Sequence, residues 1–590
     1  MAGTERALEA GRRRADLRLV FPTGCAWVAA VAGLWLSPVT LAVLGSLLLI
    51  VAGLLLSRSR RHGRRFGRSF RATCAISCVL AAVVLAHSAV AASQRSDGPL
   101  AAAIQGGKGV AAVVEIASPP RALTLPGLAG TAERWAVPVW TQEVSTGGVL
   151  LRTRAQLVVI GSGAWGAAVP GQVVRATGKL RPPDLGRQEA GSLAASSPPT
   201  QYSSGAVLEV AAKYLRGQYL ASCSFLGPDV GGLLPGMVTG DTSALDESLA
   251  LAMKNVGMTH LTAVSGANCS LVLGALLLLC RRLRLRRVAA GGVALCGLGL
   301  FVVLVGPDAS VLRAALMGAV SVAALATGRA GRGLSFLCVA VMGLLLIDPA
   351  LGASFGFLLS VLATLGIIVV GREIIDWAPA QIPLWLRAGV AVPLSAQLLC
   401  GPIIVLLQAQ FSTYSLLANV LAAPLVAPVT LVGTLAVPLS ALAPWVAGPL
   451  IAVAGAFCAG VAWVARFAAE LPGASLPWAE GIPGLVSMVL LSALTLGFVW
   501  MVSHPGRTLR WLFRCHRRIE VALESWERSR DGQRGRPRGL AEWPRHGRLE
   551  DSTSHSERTP PWPLRRNAQP VPRRRTRPTG GTPARRRSSW

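Results

Sequence analysis

Residues 258–271, MTHLTAVSGANCSL, open a hydrophobic segment yet hold His260, Thr262, Ser265, Asn268 and Ser270 within eleven residues. A polar group left unsatisfied in a bilayer costs several kcal/mol, so a membrane segment seldom keeps this many without a use. Gly257 and Gly266 let another backbone come close. The types predict a polar, close-packed element that faces a pathway through the membrane. Further polar residues stand in apolar surroundings: Asp241 in TGDTSAL, Lys254 just before the stretch, Arg313 in SVLRAALMG, Ser360 in FGFLLS, Gln397 in LSAQLLCGP and Asn419 in LLANVLAAP. Taken singly, each reads as glue between helices; their concentration in 241–268, at 313 and in 397–419 shifts the reading to a pathway.

Catalytic constellations are mostly missing. There is no G-x-x-x-x-G-K-[ST], and none of the four lysines (108, 179, 213, 254) completes one. The seven histidines are scattered, which speaks against a metal-dependent nuclease or protease. Cys-x-x-Cys pairs with zinc spacing do not occur, so neither a metal nor a cofactor is expected. Ser265 lies in AVSGA, which is no nucleophile elbow, and its five-residue spacing from His260 does not put the two on one helix face. A membrane hydrolase built on His260 and Ser265 is kept as a third reading. Gly161, Gly163 and Gly166 spell G-x-G-x-x-G after the run LVVI, but Pro170 and another strand-like run follow where a dinucleotide site needs a helix. A Gly-rich hairpin is expected there.

The elements that must position these residues are membrane helices. The chain has 590 residues, is 52% hydrophobic and has a mean hydropathy of +0.51, too apolar for an ordinary soluble protein. Apolar runs of roughly 17–25 residues recur, the length that spans a hydrocarbon core. The fold class expected is a polytopic α-helical membrane protein of about twelve spans with broken helices. Three spans are read at 17–36, 39–56 and 72–92, and nine near 261–280, 288–306, 309–328, 333–347, 351–370, 388–408, 414–437, 444–468 and 483–503. Residues 231–254 are too polar to span simply and are read as interfacial or re-entrant. Pro393, Pro402, Pro424 and Pro428 are expected to break helices where freed groups line a cavity.

The formal charge is +30, carried mostly by arginine. Positive loops stay cytoplasmic. Residues 57–71 with seven arginines, 281–287 (RRLRLRR), Arg329 with Arg332, and the tail from Arg507 all fall inside when crossings alternate. Both termini are therefore expected in the cytoplasm, in the cytoplasmic (inner or plasma) membrane.

Four regions follow: 1–92, a cytoplasmic N-terminus with three helices; 93–228, an extracytoplasmic β domain; 229–503, the membrane core; and 504–590, an Arg-rich tail. In the second, short β-type runs alternate with turn signals such as Gly147-Gly148, which suggests a small antiparallel barrel or sandwich. Residues 191–204 read as a linker and 206–220 as a short amphipathic helix. The absence of cysteine between Cys78 and Cys223 excludes a disulfide framework. Beyond its first few turns the tail lacks a periodic apolar face and reads as disordered. Acidic lipid and nucleic acid both suit its arginines and tryptophans, and a solvated tail that only enforces topology is the plain alternative.

The run GDTSALDESLALAMKNVGMTHLTAVSGANCSLVLG resembles the signature of the ComEC family, the competence channels that take single-stranded DNA across the cytoplasmic membrane. SVLRAALMG, DPALGASFGFLLSVLATLGI and SAQLLCGPIIVLLQAQFSTYSLLANVLAAPLVAP follow in that family's order. The insert ending GQVVRATGKLRPPD resembles its external OB-fold domain. The resemblance covers roughly 17–503. It implies strand passage along a polar, partly cationic path, with Asp241, Lys254, His260, Ser265, Asn268, Arg313, Ser360, Gln397 and Asn419 as pathway candidates. It also implies strand binding outside by an OB-like barrel, for which Arg121, Arg134, Trp135, Trp140, Arg152, Arg154, Trp165 and Arg175 are available. Nothing in the chain supplies energy, so a separate cytoplasmic ATPase or helicase is expected, with an external DNA receptor. Many members carry a C-terminal metallo-β-lactamase-like domain; the Arg-rich tail stands in its place here, so any strand degradation is expected from a separate nuclease. Asn268 occupies a position that is often histidine in the family, and Leu358 one that is commonly glutamine. The rival class is a secondary transporter or flippase for a small anionic or lipid-linked substrate, which gives no reason for an external OB-like domain.

Overall fold

A computed structural model describes residues 17–534, apart from 62–64, 97, 119, 124–133, 184–188, 204–205, 307–308 and 327–332. The N-terminal sixteen residues, Arg329 with Arg332, and the tail beyond 534 lie outside the described residues. The chain runs α1 (Val20–Trp35), α2 (Pro38–Arg61), α3 (Arg65–Ser96) and α4 (Pro99–Gln105) into a β domain. Ser37-Pro38 forms the turn between α1 and α2, since proline starts a helix easily where its missing N–H would be unpaired anyway.

The β domain holds β1 (Gly109–Ile116), β2 (Arg121–Leu123), β3 (Arg134–Thr146), β4 (Val149–Arg152), β5 (Gln156–Gly161), β6 (Val173–Arg181), β7 (Gly191–Ala195) and β8 (Thr200–Ser203). Five of them close a small barrel in the order β1-β3-β5-β7-β6, with β6 pairing back onto β1. Every pairing is antiparallel except β5 with β7. Period-2 alternation drives the closure: Val114, Val137, Val139, Leu157, Val159, Ala176, Leu180 and Leu193 all point inward and are fully buried. Gly147 and Gly148 have φ of 56° and 82°, which gives the β3–β4 turn its left-handed backbone.

Two expectations for this domain are corrected. Residues 191–204 are no linker, because they supply β7, the strand that closes the barrel, and β8. The short run GSLAA has little strand character of its own, and only burial of Leu193 between β5 and β6 makes it one. The glycines at 161, 163 and 166 form no hairpin. They shape a single 3-10 turn, Gly163–Ala167, that folds Trp165 into the barrel. A Cβ at Gly161 would collide with the Trp165 ring, and one at Gly166 would lie 2.6 Å from Trp135.

The helical region then runs α5 (Val207–Ser222), α6 (Pro228–Thr239), α7 (Glu247–Asn255), α8 (Gly266–Arg282), α9 (Arg287–Val305), α10 (Ala309–Ala326), α11 (Gly333–Ile347), α12 (Phe355–Gly366), α13 (Arg372–Trp377), α14 (Leu384–Leu407), β9 (Gln410–Ser412), α15 (Ser415–Leu442), α16 (Pro444–Glu470), β10 (Ser475–Pro477), α17 (Gly481–Ser503) and α18 (Pro505–Arg534). A π turn, Ile367–Gly371, joins α12 to α13.

Among the described residues nine helices are long and apolar enough to cross a membrane. These match nine of the twelve expected spans; α8, α10 and α11, the counterparts of 261–280, 309–328 and 333–347, fall short of that length and apolarity. The protein is a helical, multi-pass membrane protein. The expected proline breaks are a further correction: α14 runs unbroken through Pro393 and Pro402, and α15 through Pro424, Pro428 and Pro438. A proline removes one helical hydrogen bond, and the apolar surroundings favour keeping all the others. The real interruptions lie elsewhere, in the α6–α8 segment and at the π turn. There α12 and α14 touch closely, since a Cβ at Gly366 would lie 2.6 Å from the Ser395 carbonyl oxygen.

β9 pairs with β10, so the α14–α15 and α16–α17 connections meet. The α18 helix extends well beyond the few turns expected, to Arg534, and carries an i,i+4 His516–Glu520 contact of 3.1 Å.

Candidate functional site

The polar stretch is split by the fold. Helix α7 stops at Asn255, and Gly257 turns the chain with φ of 70°. This position needs glycine twice over, since a Cβ would also lie 2.7 Å from Ser415 Oγ at the start of α15. A 3-10 turn, Thr259–Leu261, follows, and α8 starts only at Gly266. The span expected from 261 therefore begins five residues later, because Ser265 is extended (φ −101°, ψ 165°). Residues 256–265, which form no α-helix, lie between α7 and α8.

Asn268 is the buried hub of this segment. Its Nδ2 donates to the Met237 carbonyl at 3.1 Å, which ties α8 to the end of α6. Ser265 Oγ donates to Asn268 Oδ1 at 3.2 Å. The Ser265 hydroxyl is thus committed to an amide, and His260 is exposed; this arrangement is not a nucleophile with its base. Asp241 accepts from its own turn, Ser243 N–H at 3.0 Å, and Lys254 is exposed at the end of α7.

Arg313 lies near the start of α10 and is 4% exposed. Its electrostatic neighbours are the thiols of Cys269 on α8 and Cys400 on α14. Cys400 Sγ donates to the Leu359 carbonyl at 3.3 Å, one residue before Ser360, and Gln397 lies one turn before Cys400. The fold therefore brings Asn268, Arg313, Ser360 and Gln397 onto four adjoining helices. Asn419 lies near the start of α15, with its Nδ2 donating to the Ser415 carbonyl at 2.8 Å. Ser360 and Gln397 are half-buried.

A network that sequence reasoning missed binds this region to α16. Arg466 grips Asp229 through Nε–Oδ2 at 2.6 Å and Nη2–Oδ1 at 2.5 Å. Nη2 also reaches Asp246 Oδ1 at 3.3 Å and Ser248 Oγ at 3.1 Å. Asp246 caps α7 by accepting from Leu249 N–H at 2.9 Å. The Ser248 hydroxyl, that N–H and Arg466 together hold the Asp246 carboxyl below the usual aspartate range. No local pattern announces the network, because its members lie more than 200 residues apart.

The barrel's expected strand-binding set is dispersed. Trp165 is fully buried, with Nε1 donating to the Ser197 carbonyl at 3.2 Å, and so offers no face to a base. Trp135 is partly buried over Gly166. Arg152 is exposed and paired with Glu143 at 3.0 Å, and Arg175 is exposed in the same cross-strand row through Val113. Arg134 is exposed at the start of β3; Arg121 pairs with Ala136 through its backbone, and its side chain lies outside the described residues. Arg154 lies over the Trp140 ring at 5.5 Å, a cation–π pair. Trp140 and Gln156 also line a cavity of about 320 Å³ with His87 and Ser88 of α3 and Asp348. The barrel thus meets the helices at a cavity lined by both polar and apolar side chains. Among the described residues no group of three or more His, Cys, Asp or Glu is placed to hold a metal.

Residues 237–503 match the family described as Competence protein. The matched region is similar to competence-protein domains. It begins at the end of α6 and closes with α17, so it holds all nine pathway candidates. ComE operon protein 3 of Bacillus subtilis (strain 168) is 31% identical over 222 residues. That alignment covers 37% of this chain and 28% of the relative, so the similarity spans well under half of either protein. No solved structure matches the chain.

Proposed function

We propose that the chain carries a single strand of DNA across the cytoplasmic membrane during DNA uptake. The observation that carries this reading is the competence-protein match over residues 237–503, the part of the chain that holds the buried Asn268 and Arg313. Supporting it, a barrel precedes that domain and meets the helices at the Trp140–Asp348 cavity. Small barrels of this kind suit single strands, which stack bases on aromatics such as Trp140 and meet cations such as Arg154 and Arg175.

In the proposed arrangement the chain crosses the membrane twelve times, with α8, α10 and α11 completing the set. The arginine-rich loops and both termini face the cytoplasm, and the barrel and the β9–β10 ladder lie outside. Lys254, Arg313, Asn268, Gln397 and Asn419 offset part of the cost of desolvating phosphates along the path, and the chain does no bond chemistry itself. A separate cytoplasmic ATPase or helicase pulls the strand, an external receptor delivers duplex DNA, and a separate nuclease removes the other strand. A small-anion transporter or flippase is not favoured, because the family match leads to competence.

The test is import of labelled DNA by a strain deleted for this chain. The expected result is loss of internalised label and of transformants, restored by the full chain. Import at the normal rate in the deletion strain overturns the proposal.

A further inference from the structure

The start of α8 and the side chain of Arg313 each lack something, and they face each other. Arg313 is 4% exposed, yet its Nε and Nη1 have no hydrogen-bond partner. No ion pair engages it among the described residues, and its electrostatic neighbours are two thiols, Cys269 and Cys400. A guanidinium removed from water without an anion is among the costliest groups a protein can bury. Its position is specific: Arg313 Nη2 would lie 3.4 Å from a Cβ placed on Gly266, the first residue of α8. The guanidinium thus lies beside the first residue of α8, where a Cβ would press on Ala314 at 3.2 Å.

The helix end is open as well. Ser265 occupies the N-cap position and is of a type that normally accepts from the first turn. It makes no such bond, because its hydroxyl donates to Asn268 instead. The N–H groups of Gly266 and Ala267 take no acceptor among the described residues. A 17-residue helix presents a partial positive charge at that end. An unpartnered buried guanidinium therefore lies beside an uncapped helix N-terminus, and both favour a negative group.

The geometry points to an anion station between Arg313 and the N-terminus of α8 that holds one phosphodiester of the moving strand. A phosphodiester fits because it carries one charge and two free oxygens, one for the guanidinium fork and one for the backbone N–H pair. The choice of a DNA phosphate as occupant rests on the proposed function; the anion site itself rests on the geometry. Free phosphate and a lipid phosphate share this chemistry and are separated by the test.

The full chain, purified in detergent, is titrated with fluorescent oligo-dT at several salt concentrations and melted in the presence of inorganic phosphate or of an anionic phospholipid. For the natural chain, oligo-dT and phosphate are both expected to raise the melting temperature. Arg313→Gln is expected to bind the strand about tenfold more weakly, with a log–log salt slope shallower by about 0.7, the share of one phosphate on a single strand. Arg313→Lys keeps the charge and is expected to keep the slope. It also serves as the test should the Gln variant fail to fold: a Lys variant whose slope falls as well counts against the station. Equal affinity and slope in the natural and Gln chains overturn the proposal. A melting shift with lipid or free phosphate alone, and strand binding indifferent to Arg313, overturns the assignment to the strand. The site and the transport reading fail separately: anion binding that depends on Arg313, together with normal import in a deletion strain, leaves the station standing and removes its proposed role.

Discussion

The barrel and the helical core treat buried polar groups differently. In the barrel, Thr141 is fully buried, and its hydroxyl donates to Thr153 and accepts from Ala155 N–H at 2.9 Å. Trp165 finds the Ser197 carbonyl; Trp135 Nε1 and Thr146 Oγ1 are the exceptions. In the core, Arg313 Nε and Nη1 and the hydroxyls of Ser335, Thr430 and Thr434 are buried without a partner. Thr430 and Thr434 are one turn apart on α15. Other helical hydroxyls do bond back, as Thr239 does to Pro235 at 2.9 Å, so the vacancies in α15 are not general to the helices. A domain whose polar groups are satisfied holds a shape. One that keeps donors in reserve is suited to a guest that brings its own acceptors, as a phosphate backbone does.

The contrast breaks most readily at Trp165. Trp165→Ala empties the centre of the barrel and is expected to cost about 3–5 kcal/mol. Limited proteolysis of membrane vesicles should then cut within 109–203 and spare the helices. If the helices become equally labile, the two regions are not separate folding units.

Arg313→Met tests the opposite sign. Replacing an uncompensated buried cation by an apolar side chain is expected to raise stability by about 1–4 kcal/mol in phosphate-free detergent, read as a higher melting temperature. A drop would mean that Arg313 is already satisfied within the protein. Gly257→Ala forces a side chain into left-handed backbone and against Ser415, and is expected to cost about 1–2 kcal/mol. Its signature would be protease sensitivity between α7 and α8 with the barrel intact.

Arg466→Met is expected to cost no more than about 1 kcal/mol, because its partners are about a third exposed and screened. The pH dependence has a definite sign. The folded pKa of Asp246 is lowered, so its contribution is complete above the ordinary aspartate value and is lost as pH falls through the folded one. Asp246→Asn should flatten that acid limb of a melting-temperature profile and leave the neutral region little changed.

How much was legible follows from the range of each interaction. Spans such as α9, α14 and α17 could be read because apolarity over some twenty residues is a local property. The barrel strands β1, β3, β5 and β6 showed in their alternation. β7 did not, because GSLAA becomes a strand only between two others. Trp165 was misplaced among exposed aromatics because its neighbours resemble a surface loop, and only closure of the barrel over it decides otherwise. The prolines of α14 and α15 misled because proline in sequence signals a break, whereas packing in an apolar medium keeps the helix continuous.

By itself the sequence determined the material of each region: apolar helices, a β insert, arginine-rich loops, and the unusual polar cluster around Asn268. These depend on composition and short-range periodicity, which bilayer thickness and strand pleating read directly. The tertiary structure alone decided which polar groups meet. Asn268 reaches Met237, Arg466 reaches Asp229, and Arg313 reaches the bare end of α8 across gaps of 31, 237 and 47 residues. No local rule spans such gaps, because the contacts exist only once helix packing has brought the distant segments together.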